Sequence, residues 1–131
     1  MKSLLPSHKQ YTYESSVTRE SRLYPGVRYR IARMSFGRRC ELARMVRELS
    51  QRLEFHNAGA SLRDKAEASL LATEINSLYV RWGLLGIEGL LIDGCETTPE
   101  KLVQTGPEDL SREIVGAIQA ECGLSEEERK N

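Results

Sequence analysis

Hydrophobic and polar positions follow two different periods along this chain, and the switch between them marks out its elements. Val27, Tyr29 and Ile31 alternate with Arg28 and Arg30, a two-residue step that predicts a strand over 27–33 with one face in water. Pro25-Gly26 just before it has the composition of a type II turn. From Ser35, a natural N-cap, the step lengthens to three or four. Phe36, Cys40, Ala43, Val46, Leu49 and Leu53 form an apolar stripe that Leu42 and Met45 widen, so a helix is expected to about Asn57. Gly59 is placed to end it in a left-handed cap. Ser61 and Asp64 open a second helix, with Leu71, Ile75, Leu78 and Trp82 on one face. Gly83 and Gly86 stop it, because each glycine inside a helix costs about 1 kcal/mol relative to alanine. A short connection between two such helices predicts a helical hairpin.

Beyond it, 87–92 reads as a strand, Asp93-Gly94 as a tight turn and 95–97 as the returning strand, a hairpin expected to pair with 27–33. Thr98-Pro99 starts a short helix and Gly106-Pro107 divides it from another, which carries Leu110, Ile114, Ala117 and Ile118 and stops at Gly123. Ser125 and Glu128 have capping-box spacing. Residues 1–20 are polar without a period and are expected to be a flexible N-terminal arm. The expected fold is a single α+β domain over 21–131, with two long antiparallel helices plus one or two short helices packed on a small antiparallel β-sheet.

Composition supports a core and says little against it: 40% of the 131 residues are hydrophobic. Lysine plus arginine and aspartate plus glutamate number 19 each, so the formal charge is zero. The distribution is uneven. Residues 1–65 carry a formal charge of +8, and residues 66–131 a charge of −8. No run of about 18 apolar residues predicts a membrane span, and Lys2-Ser3-Leu4-Leu5-Pro6 lacks the apolar core of a signal peptide. Cys40, Cys95 and Cys122 are odd in number and widely spaced, which fits small buried hydrophobes in a reducing cytoplasm.

Catalytic chemistry finds no foothold in these residues. His8 and His56 lie in no catalytic pattern, and no G-x-S-x-G elbow is present. Histidines 48 residues apart and isolated cysteines have no zinc spacing, so no metal or cofactor is expected. Gly83, Gly86 and Gly89 match neither a dinucleotide fingerprint nor a phosphate loop. Two features have reach beyond the core. Arg28, Arg30, Arg38, Arg39, Arg44 and Arg47 make a candidate basic surface. It can answer the acidic half of the chain or of another copy, a protein partner, or the phosphates of a nucleic acid. Trp82, Leu84 and Leu85, in a glycine-punctuated apolar run, either close the core or form a partner-binding patch.

The stretches PGVRYRIARMSFGRRCEL (25–42), YVRWGLLGIEGLLIDG (79–94), TTPEKLVQTGPEDL (97–110) and GLSEEERKN (123–131) resemble small proteins encoded among the tail genes of tailed bacteriophages and prophages. Proteins in that position resemble tail assembly chaperones, which hold the tape-measure protein soluble in the host cytoplasm until the tail tube forms. The resemblance implies a non-enzymatic protein whose partner is a tape-measure or other tail protein. It carries over no catalytic residue and no cofactor. It maps no partner-binding motif either; on the residues, the expected mechanism is shielding of apolar helical segments at a groove near Trp82, Leu84 and Leu85, with the oppositely charged halves helping copies to associate head to tail. Two other functions remain open on the residues: a virion structural accessory of the tail or head–tail connector, and a nucleic-acid-binding regulator using the arginine-rich half.

Overall fold

The computed structural model describes residues 10–123. Their architecture is α+β: an antiparallel three-stranded sheet, a separate two-stranded hairpin and four helices. Strands β1 (Ser16–Glu20), β2 (Arg28–Ala32) and β3 (Leu84–Glu88) lie in that order across the sheet. The expected alternation on β2 is present, with Tyr29 and Ile31 buried and Arg28 and Arg30 exposed. Two expectations are corrected. Residues 16–20, assigned by composition to a flexible arm, form edge strand β1, with Val17 opposite Ile31 and Arg19 opposite Tyr29. The strand pairing with β2 on its other side is 84–88 rather than 87–92. Arg30 faces Gly86 while Ile31 faces Leu84, so Leu85 is the extra residue of a bulge. That bulge breaks the two-residue alternation and hides the strand from a periodicity search. Ile92 and Cys95 instead pair within their own short hairpin, β4 (Leu91–Ile92) and β5 (Cys95–Glu96), around Asp93 and Gly94 at φ 52° and 78°.

The long hairpin is α1 (Phe36–Ala58) and α2 (Leu62–Gly83). Both caps are as expected: Ser35 Oγ accepts from the Arg38 N–H at 3.2 Å, and Ser61 Oγ from the Asp64 N–H at 3.0 Å. Gly59, expected to be left-handed, sits at φ −82°. Glycine is needed there for space, since a Cβ would collide with the Asp64 carboxylate. The apolar stripe of α1 also differs. Leu42 is its only buried residue, and Leu42, Val46, Leu49 and Leu53 form the inner seam, whereas Phe36, Cys40 and Ala43 are exposed. A stripe drawn from Phe36 lies round the side of the helix, because no core reaches the outer flank of α1.

Helices α3 (Pro99–Thr105) and α4 (Glu108–Glu121) complete the body. Thr98 caps α3 by accepting from the Lys101 N–H at 3.1 Å. Leu110, Ile114 and Ile118 of α4 are fully buried with Ile31, Val80 and Leu102. Gly83 permits this packing, because a Cβ there would lie 2.8 Å from Ile118 Cγ2. The capping-box pair Ser125 and Glu128 lies outside the described residues, as do His8 and residues 1–9. Among the described residues no helix is long and apolar enough to cross a membrane.

Candidate functional site

Trp82 and Leu84 sit at the α2–β3 junction, and the core claims them both. Trp82 is 7% exposed and Leu84 3%, while Leu85 on the bulge is half-buried. Trp82 is also held from its polar side. Its indole N–H donates to Glu41 Oε1 at 2.7 Å, and the Arg38 guanidinium lies 5.0 Å from the ring centroid while donating to the Trp82 carbonyl at 3.3 Å. Charge over an aromatic face and a satisfied indole are features of a packed joint. A partner-binding patch at Trp82, Leu84 and Leu85 is therefore corrected to a core joint with one half-buried residue.

The arginines separate into three groups. Arg28 lies beside Glu88 at 3.6 Å, and Arg30 passes over Gly86 on the wet sheet face. Arg38 and Arg39 fasten the base of α1 to the body, the latter donating to the Cys122 carbonyl at 3.3 Å. Arg44 and Arg47 are exposed on α1 and make no ion pair among the described residues. The six thus form no single continuous patch of one role.

Part of the charge asymmetry is answered within the chain, between the first two strands and α4. Arg19 and Arg33 approach Glu121 at 3.0 and 3.9 Å. Glu113 accepts from Ser21 Oγ at 2.8 Å, from the Arg22 N–H at 3.0 Å and from the Tyr29 hydroxyl at 3.2 Å. Tyr24 adds a bond to Asp109 at 2.8 Å. Burial, together with the neighbouring Glu113 charge, pushes the Tyr29 phenol up to about 12. Ser21 Oγ in turn accepts from the Leu23 and Tyr24 N–H groups, so one hydroxyl shapes the β1–β2 turn and ties it to α4. Sequence reasoning missed this clasp. Ser21, Tyr29 and Glu113 share no spacing, and only the tertiary fold brings residues 92 positions apart together.

Two hollows flank α4. One, of about 780 Å³, is polar, with Arg19, Arg22 and Arg112 around Glu113 and a floor of Gly116, Ala117 and Ala120. The other, of about 750 Å³, opens where the hairpin leaves the body. Met45, Leu49, Leu78, Val103 and Val115 supply its apolar lining. Its charged margin is largely self-paired: Arg81 meets Glu100 at 2.9 Å and Arg112 meets Glu108 at 3.0 Å. Arg81 and Gln104 together hold the Glu100 carboxyl below its ordinary range. Glu74 also lines the hollow and has no ion pair among the described residues, so an apolar segment is best accommodated on the Met45, Leu49, Val103 and Val115 side.

Among the described residues, neither hollow is lined by a cysteine or a histidine. Cys122 is buried, and burial raises its thiol above the usual range; Cys40 and Cys95 are exposed, contrary to the expectation that all three lie inside. His56 reaches Asp64 at 2.9 Å at the hairpin tip, where it holds two helix ends together. Among the described residues no group of three or more His, Cys, Asp or Glu side chains is placed to hold a metal ion. No protein-family model, curated protein or solved structure matches this chain.

Proposed function

We propose that this chain is a non-enzymatic binding protein of the phage or prophage tail-assembly type, a chaperone that shields an apolar helical segment of a tape-measure protein in the host cytoplasm. The observation that carries the reading is the apolar hollow between the hairpin and α3/α4, with Met45 and Leu49 on one wall and Val103 and Val115 on the other. It replaces the Trp82 patch as the place of binding. A helix laid there would bury its apolar face against the hollow and leave its polar face to water, the usual helix-in-groove arrangement. The tail-gene resemblance of residues 25–42, 79–94 and 97–110 supplies the identity of the partner.

The test is calorimetric titration of overlapping helical fragments of a tape-measure protein from the phage or prophage proposed to encode this chain. At least one fragment should bind, and Met45→Glu should weaken it by roughly tenfold, the effect of about 1.4 kcal/mol. Met45 is 41% exposed on the wall of the hollow, and circular dichroism with urea unfolding checks that the substitution keeps the fold. Failure of every fragment to bind, or binding indifferent to both Met45→Glu and Val103→Glu, would overturn the proposal.

A further inference from the structure

Helix α1 carries a second stripe, opposite its seam with α2. Gly37, Glu41, Arg44, Glu48, Gln51 and Phe55 recur at alternating steps of four and three, and all are exposed. These positions share one side of the helix, as the positions of a helix–helix seam do, but Phe55 is the only apolar side chain among them, so charge matching sets the register. Glu41 is turned toward Trp82. The others face away from the body, and α1 has its principal packing with α2 alone. An aromatic ring stands uncovered at each end of the helix, Phe36 at 92% exposure and Phe55 at 72%. A Cβ built on Gly37 would meet nothing within 4 Å, so the space over that glycine is open.

We propose that α1 pairs antiparallel with α1 of a second copy along this stripe. With the two-fold axis on the outer face of α1 at the height of residue 46, Arg44 of each copy falls opposite Glu48 of the other, so the charges match twice. Phe55 of each copy then falls on Gly37 of the other, beside Phe36. Neither Arg44 nor Glu48 has an ion-pair partner among the described residues of its own chain, so both are available for the match. The pattern is self-complementary, as a two-fold contact requires. It fits a second copy better than an unrelated helix, since one sequence supplies the ring, the open glycine and both charges in mutually consistent positions. One helix on one helix buries less than the roughly 1,200 Å² at which standard interfaces begin. The dimer should therefore dissociate on dilution. This inference is independent of the tape-measure reading, because the hollow is lined by the flank of α1 that bears Met45 and Leu49.

Sedimentation equilibrium over a range of concentrations tests it, with circular dichroism confirming that each variant keeps its helices. The wild-type chain should shift from monomer to dimer mass. Phe55→Asp should hold it at monomer mass. Arg44→Glu and Glu48→Arg, each placing two pairs of like charges face to face, should each weaken association roughly tenfold. The double exchange Arg44→Glu with Glu48→Arg should restore it to within about threefold of wild type. A wild-type chain that stays monomeric, a dimer indifferent to Phe55→Asp, or a double exchange no better than the singles would each refute the pairing.

Discussion

Removing the Glu113 carboxylate should loosen the attachment of the first two strands to α4. Three donors converge on it: the Ser21 hydroxyl, the Arg22 N–H and the Tyr29 hydroxyl. Arg22 is exposed, so water can replace its lost acceptor, but Ser21 and Tyr29 are buried. A buried polar group left without a partner costs about 1–3 kcal/mol. Glu113→Ala should therefore destabilise the fold by roughly 2–4 kcal/mol, the lower end applying where the adjacent polar hollow admits water. Tyr29→Phe removes one long bond and keeps the ring, so about 1 kcal/mol is expected. Urea unfolding followed through Trp82, the only tryptophan, reads both. In a double-mutant cycle the two losses should fall short of additivity by about 1 kcal/mol. Full additivity, or a Glu113→Ala cost below about 0.5 kcal/mol, would refute the clasp. The same pair predicts an alkaline response. The Tyr29 phenol is raised from 10 to about 12 in the fold, so its contribution is fully present below pH 10 and lost as pH climbs through 12. Two units correspond to at most about 2.7 kcal/mol. The real loss is smaller, because water reaches the Glu113 side, and Tyr29→Phe should flatten this part of the pH curve.

Two further predictions concern the turns. Gly89 has φ +87°, and a Cβ there would strike the Gly26 carbonyl of the opposing turn, so Gly89→Ala should cost about 1–3 kcal/mol in thermal or urea unfolding; an unchanged midpoint would contradict the close approach. At the hairpin tip, hydrogen bonds from His56 and Ser61 hold the Asp64 carboxyl below its ordinary range. Its contribution is present above the ordinary aspartate pKa and lost as pH falls through the lowered value, so Asp64→Asn should remove part of the acid sensitivity seen in thermal melts.

Local chemistry made the helices legible. Ser35, Ser61 and Thr98 cap where hydroxyl placement predicts, because an N-cap is decided by a few neighbouring residues. The strands were legible only where periodicity survived. β2 kept its alternation, whereas the Leu85 bulge erased that of β3, and β1 has only Val17 as an apolar marker in a polar segment. Its place depends on pairing with β2, which no residue of β1 announces. The functional surface was the least legible. Trp82 and Leu84 are as hydrophobic as the lining of a groove, and whether such residues face a core or a partner depends on where α4 lies. Met45 and Val103, 58 positions apart, share a hollow only because the hairpin and α3 flank the same body.

The hairpin is anchored to the body at one end only, and at 1.5 Å per residue the 23-residue α1 extends about 35 Å. If α1 pairs antiparallel with its copy, the two bodies stand at opposite ends of that rod, but the Met45 and Leu49 walls of their two hollows lie within about 5 Å of its middle, measured along the rod. Each dimer would then present two grips side by side near mid-rod, facing a partner that is itself a long helix. Two hollows so close can be reached by one continuous partner, so a second grip would close at high effective concentration once the first had formed. A long partner should therefore bind the dimer more tightly than a short fragment does, and Phe55→Asp should abolish the difference while leaving the short-fragment affinity unchanged.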